Sequence, residues 1–228
     1  MSILLGDHVF DATRTAVSEK HAEIGGRDAR VIQIKGAIEG PSTPEAVEAI
    51  LDAILAAASE RADDTPLVLR PGRCLFVRRT GFVRDVRRNP PSGAFTLHLE
   101  ARNPWEIALD ETELAWEIGA SGATMHVQTA GNAEAPLIVA LTALTPLENP
   151  AISDGRRSIA YPGRVAADET LVFDGAARRV FWNDMDVTPY AEGLFPCVAP
   201  DGVTLTWTGL AEASPCATAS VRFRDRWW

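Results

Sequence analysis

The sequence is poor in most of what an enzyme or a nucleic-acid binder needs. It has three cysteines, Cys74, Cys197 and Cys216, an odd number with no C-x-x-C spacing, which suggests neither a disulfide framework nor a zinc knuckle and leaves reduced thiols as the expectation. There are four histidines, His8, His21, His98 and His126, and none has the i, i+4 or H-x-E spacing of a metal or deaminase site. No apolar run reaches 18 residues, so no membrane-spanning helix is encoded. The opening "MSILLGDHVFDATRT" lacks the basic region and long apolar stretch of a signal peptide. There is no G-x-S-x-G elbow, no phosphate-binding P-loop and no G-x-G-x-x-G. The glycine pair in "IGGRD" leads into a strand pattern, not a helix N-terminus, so it cannot cradle phosphate in the usual way. Positive charge is also scarce: the net charge is −9, opposite to what phosphate affinity requires.

What is present is a β-protein of 228 residues, long enough for two ordinary domains, with 46% hydrophobic and 23% charged residues. One helix is encoded, over about residues 43–60. Ser42 stands three residues before Glu45 at capping-box spacing, Pro44 suits the first turn, and Val47, Ile50, Leu51, Ile54, Leu55 and Ala58 recur on one face. Around it lie strands. "ARVIQIKGAI" places Ile32, Ile34 and Ile38 on one side, and "AFTLHLEAR" alternates Phe95, Leu97 and Leu99 with Thr96, His98 and Glu100. Between them "RPG", "RTG" and "NPPSG" are turn signals. The first domain, residues 1–112, is therefore expected to be a mainly antiparallel α+β unit.

Residues 113–228 show no helical periodicity. Short strands such as "PLIVALT", "TLVFD", "RRVFW" and "VTLTWT" alternate with turn residues, and Asp174-Gly175 reads as a hairpin, the pattern of an all-β sandwich. The last strand, "ASVRFRDRWW", puts Val221 and Phe223 on one face and Arg222, Arg224 and Arg226 on the other. With eight arginines against fourteen carboxylates in this half, the tail reads as a closing strand, not a nucleic-acid stripe. Asp184 and Asp186 lack the further oxygen ligands of a calcium loop and read as a solvated turn. Trp116, Trp182, Trp207, Trp227 and Trp228 read as core or interface residues before they read as a sugar platform. Eight arginines crowd between Leu67 and Arg102 against Asp85 and Glu100, and solvated strand faces or subunit contacts explain them better than polyanion binding. No catalytic, cofactor or metal site emerges.

Several short motifs in the second half follow one another in a particular order. Gly131, Asn132 and Pro136 come first in "AGNAEAP"; a hairpin follows; then Phe195, Pro196, Pro200 and Gly202 in "FPCVAPDG"; then Arg222, Arg224 and Trp227. In this order the chain resembles the distal tail protein (Dit) family of tailed bacteriophages over about residues 124–228. More loosely, Gly26, Arg27 and Asp28 before a long strand resemble the family's first domain. The family's Pro-Gly-x-Asn turn stands here as "APDGVTL", without the asparagine.

The resemblance implies a structural virion protein: a tail-tube-like first domain closing a ring of six copies, and a galectin-like sandwich projecting from it. It implies the tail tube protein, a tail tip or tail-associated hub protein and a receptor-binding protein as partners, genomic DNA passing the lumen without specific binding, and a place in the virion tail tip after assembly in the host cytoplasm. The ring contacts are then expected at Arg78, Arg79, Arg84, Arg87 and Arg88. No sugar site carries over, because Asn149-Pro150 lacks flanking histidine and arginine. The alternatives are a lectin-like carbohydrate-binding sandwich and a hydrolase with an unrecognised site.

Overall fold

The computed structural model describes residues 3–11, 13–62, 64–211 and 213–228. It divides into two compact units, Met1–Leu109 with Trp228, and Asp110–Trp227. The protein is mainly β, with a single α-helix among the described residues.

The first unit runs β1 (Ile3–Leu5), β2 (His8–Phe10), β3 (Thr15–Ile24), β4 (Arg27–Glu39), α1 (Pro44–Ala56), β5 (Thr65–Arg70), β6 (Arg73–Arg88), β7 (Pro91–Ala101) and β8 (Glu106–Ala108). Its strands are paired antiparallel in the order β2-β1-β5-β6-β7-β4-β3, with β8 beside the start of β6. Alternation predicted the core face correctly: Ile32 and Ile34 of β4 and Leu97 and Leu99 of β7 are fully buried, with Ile38 and Phe95 nearly so. Helix α1 covers this face with Val47, Leu51 and Ile54, while Ile50 and Leu55 lie on the flanks of the stripe and stay partly exposed.

Two local expectations are corrected. The helix cap is Thr43, whose hydroxyl accepts a hydrogen bond from Ala46 N at 3.2 Å, so Ser42 and Glu45 do not form the capping box. "RTG" is not a turn: Thr80 is an extra residue in a β-bulge between Arg79 and Gly81, and β6 continues through it for 16 residues. The other turns form. Gly25 and Gly26 take positive φ (60° and 76°), the two-residue hairpin geometry that matches strand twist, and Pro71-Gly72 closes β5 on β6.

The second unit comprises β9 (Thr112–Ile118), β10 (Thr124–Val127), β11 (Ala135–Pro136), β12 (Ile138–Ala143), β13 (Leu147–Ser153), β14 (Ser158–Ala160), β15 (Arg164–Val165), β16 (Thr170–Asp174), β17 (Arg179–Trp182) and β18 (Met185–Asp186). A short 3-10 turn, Thr188–Tyr190, then leads to β19 (Glu192–Gly193), β20 (Cys197–Val198), β21 (Val203–Ala211), β22 (Ala217–Phe223) and β23 (Arg226–Trp227). One sheet is ordered β18-β17-β16-β12-β22-β9, the other β10-β21-β13-β14-β19 with β15 on β13, and β11 pairs β20. Val139, Leu141, Leu171, Phe173 and Val221 of the first sheet share one core with Leu147, Ile152, Leu205 and Trp207 of the second, which makes the unit a sandwich.

Candidate functional site

Chemistry-bearing side chains are dispersed. His21 stacks on Trp228 with ring centres 4.8 Å apart, His98 lies on the open face of the first sheet, and His126 contacts Gln128 and Thr204. His8 packs edge-on against Phe10, and burial lowers its pKa. No group of three or more His, Cys, Asp or Glu that could hold a metal occurs among the described residues. Asn183 and Asp184 occupy the positive-φ turn between β17 and β18, while the Asp186 carboxylate accepts from Thr188 N and sits 3.6 Å from Arg179. Both aspartates thus serve a turn. Trp116 and Trp207 are buried in the sandwich core, and Trp182 donates to Glu169 at 3.0 Å.

The cysteines are all free, Cys74 and Cys216 buried and Cys197 half-buried. Burial pushes the Cys197 and Cys216 thiols up, away from the reactive thiolate. Thiol titration is expected to count three reduced cysteines in denaturant, with Cys197 the first to react in the folded protein; a mapped Cys197–Cys216 bridge would contradict this.

The first unit presents a different kind of site. Strands β6, β7, β4 and β3 form a sheet covered by α1 on one face and open on the other. Directly opposed residues share a face, so the register aligns Lys20, Val31, Glu100 and Arg78 in one open row, and Ser18, Gln33, His98 and Gly81 in the next. Alanines, Thr96, Lys35 and Val83 continue the surface. This sheet also has two long unpaired edges among the described residues. Strand β3 pairs only with β4, and the Gly81–Arg88 half of β6 pairs only with β7.

The register distributes the five arginines of the predicted interface over both faces. Arg79, Arg84 and Arg88 oppose Leu99, Phe95 and Pro91 on the helix side; Arg78 and Arg87 oppose Glu100 and Ser92 on the open side. Four have partners: Arg78 bonds Glu100 at 3.0 Å, Arg79 bonds Glu60 and Arg84 bonds Asp52 at 2.7 Å each, and Arg87 lies 4.0 Å from Asp85. They do not form one patch.

Sequence reading missed a buried ion cluster. Arg30 and Glu106 are almost inaccessible and lie 3.2 Å apart; Arg70 bonds both Glu106 and Glu19, and Arg73 approaches Glu106. Burial lowers the Arg70 pKa, but the two carboxylates outweigh it and the net shift is upward. A signal was available: Arg30 is in phase with Ile32 and Ile34, the core side of β4.

In the second unit the spaced motifs meet. A Cβ on Gly131 would fall 2.2 Å from Arg226 O, and the Asn132 and Ala133 amides donate to that same carbonyl at 3.0 and 3.2 Å. The Asp225 carboxylate accepts from Thr129 and from Ala130 N. Pro136 pairs with Cys197, which brings the first motif to the second; Pro196 is buried, and Phe195 packs on the core. Ala199–Gly202 closes a turn through Gly202 N to Ala199 O at 2.9 Å with Pro200 at its second position, a geometry that needs no asparagine. The closing strand ends at Phe223, so Arg226 does not continue its outer face; it lies on β23, where burial lowers its pKa. Arg222 and Arg224 both face Glu111, at 3.8 and 3.9 Å. Arg222, Arg224 and Arg226 are thus held within the second unit. Replacing Gly131 by Ala sets a methyl against backbone that cannot swing away, and is expected to cost about 3 kcal/mol in urea unfolding, the upper end of overpacking penalties.

The chain thus combines an antiparallel sheet unit with one helix, bearing open strand edges among the described residues, and a β-sandwich. The whole chain is similar to the crystal structure of SPP1 Dit (gp 19.1), described as a paradigm of the hub adsorption apparatus of phages infecting Gram-positive bacteria, with a TM-score of 0.70 and 11% identity over 100% of this chain and 99% of that one. No protein-family model matches the sequence, and no curated protein does.

Proposed function

We propose that this protein is the distal tail hub of a bacteriophage, a structural component with no enzymatic role, in which the first units of six copies close a ring. The observation that carries the reading is the pair of free edges on the β6-β7-β4-β3 sheet, in a chain whose full length follows the fold of a Dit protein. Rotation about a ring axis keeps strand direction, so β6 of one copy runs antiparallel to β3 of the next. The same head-to-tail joint then repeats until it closes. Exposed edges of this length are an aggregation hazard in a monomer and are removed by closure.

The open sheet face then lines the channel. Over five rows it carries Lys20, Lys35, Arg78 and Arg87 against Glu39, Asp85 and Glu100, nearly neutral, so DNA passes without being held. Tail tube protein and tail tip protein meet the two rims of the ring, and the galectin-like sandwich serves further partners such as a receptor-binding protein. Of the five arginines, Arg87 and Arg88 are the ones placed for contact between copies. Light scattering and negative-stain imaging of the full chain are expected to show a closed annulus; a monomer at every concentration, with or without the tail tube and tail tip proteins, would overturn the reading.

A further inference from the structure

We propose that a cavity on the sandwich beside Tyr190 docks an extended, proline-containing, cationic peptide segment of another protein. The cavity has a volume of about 460 Å³ and is lined by Tyr161, Pro162, Pro189, Tyr190, Ala191 and Glu192: two phenol rings, two proline rings and one carboxylate. Strand pairing builds it. Ala160 opposes Glu192, so the residues that follow β14 face those that precede β19.

The Tyr161 ring and the backbone turn that carries Tyr190 are fixed before any ligand arrives. A Cβ on Gly163 would fall 2.6 Å from the Tyr161 ring, so glycine is what lets that ring lie where it does. Its other neighbour is the Trp182 ring, 6.3 Å away between centres, which Glu169 anchors through the indole N–H. Tyr190 rides on a turn tied down by Val180 N to Thr188 Oγ1 at 2.9 Å, Thr188 N to Asp186 Oδ1 at 3.0 Å and Ala191 N to Thr188 O at 3.1 Å. Yet Tyr190 and Leu194 are each 67% exposed. A large ring displayed on a rigid turn serves contact better than stability, and pre-organisation of the turn lowers the entropy cost of binding.

The chemistry of the lining selects the ligand. Aromatic and proline rings accept the preformed polyproline helix, and β19, paired only with β14 among the described residues, offers a free edge to an extended chain. Glu192 is the only charged residue in the lining. That carboxylate, on a unit whose eight arginines face sixteen carboxylates (net −8 over residues 110–227), favours a cation and steers it in. The site belongs to the single chain and does not depend on ring closure.

Calorimetric titration of the full chain with a dodecapeptide of Pro-Pro-Arg repeats is expected to show saturable binding. A Gly-Ser-Arg peptide of equal charge should bind at least about tenfold more weakly, as should a Pro-Pro-Glu peptide. Y190A and E192K should each weaken the Pro-Pro-Arg peptide about tenfold or more, the loss typical of an interface anchor. Both residues are exposed, so the variants are expected to fold, which circular dichroism checks. Equal affinity for the Gly-Ser-Arg peptide, indifference to Y190A, no saturable binding at millimolar peptide, or binding only from a panel of neutral oligosaccharides would each overturn the proposal.

Discussion

Reversing Arg87 and Arg88 together to glutamate is expected to abolish the proposed ring while leaving each copy folded. The free half of β6, Gly81–Arg88, carries Arg84, Asp85, Arg87 and Arg88, net +2, whereas β3 carries Glu19, Lys20 and Glu23, net −1. The reversal turns +2 into −2, so two edges of opposite sign become edges of like sign. Each 1.4 kcal/mol lost at a joint weakens it about tenfold, and a closed ring needs every joint at once. A modest local penalty therefore multiplies around the circle. Arg87 is suited to the test because its side chain is 78% exposed and only 4.0 Å from Asp85. Arg84 is not, since its reversal would set a carboxylate against Asp52, its partner 2.7 Å away on α1. Surface changes of this kind shift monomer stability by about 0.5 kcal/mol or less. Light scattering should report single copies with an unchanged circular dichroism melt, and about 1 M salt, which shortens the screening length to roughly 3 Å, should partly restore the ring. An intact ring in the doubly reversed protein would remove these residues from the joint.

Much of the architecture was legible because it rests on period-2 alternation. Ile32, Ile34, Leu97 and Leu99 announce a core face, and Asp174-Gly175 announces the hairpin that joins β16 to β17. What stayed hidden depends on partners distant in sequence. Thr80 looks like part of a turn because a bulge is defined by the opposite strand, here Leu99 and His98 of β7. Thr43 and Ser42 are equivalent caps on paper, and the chain's entry angle decides between them. The arginine cluster looked like one patch because sequence proximity says nothing of which face a residue takes once a bulge shifts the register. The order of Gly131-Asn132, Phe195-Pro196 and the tail was readable as a pattern, but its physical cause was not: Gly131 is small because Arg226 O leaves no room, 95 residues further on.

Replacing Trp207 by alanine is expected to be the most damaging single change in the sandwich. Trp207 is fully buried on β21, opposite Ile152 of β13, and both its backbone polar groups bond one neighbouring segment: its amide donates to Ala123 O at 2.9 Å, and its carbonyl accepts from Gly122 N at 2.8 Å. The indole also dictates Gly209, where a Cβ would fall 2.9 Å from Cζ2. Removing a side chain of this size from a core held from both sides leaves a cavity that cannot collapse, at a cost of about 3–5 kcal/mol, a large share of the roughly 5–15 kcal/mol that stabilises a typical domain. Phenylalanine separates the two contributions of the indole. Its N–H is buried without a hydrogen-bond partner among the described residues, so losing it relieves a desolvation penalty of about 1–3 kcal/mol. Trp207→Phe forfeits part of the ring volume but recovers that penalty, and should cost less than half as much as Trp207→Ala in urea unfolding followed by circular dichroism. Equal costs for the two variants would mean that the N–H finds a partner, such as a buried water, and that Trp207 contributes polar as well as apolar stability to the core.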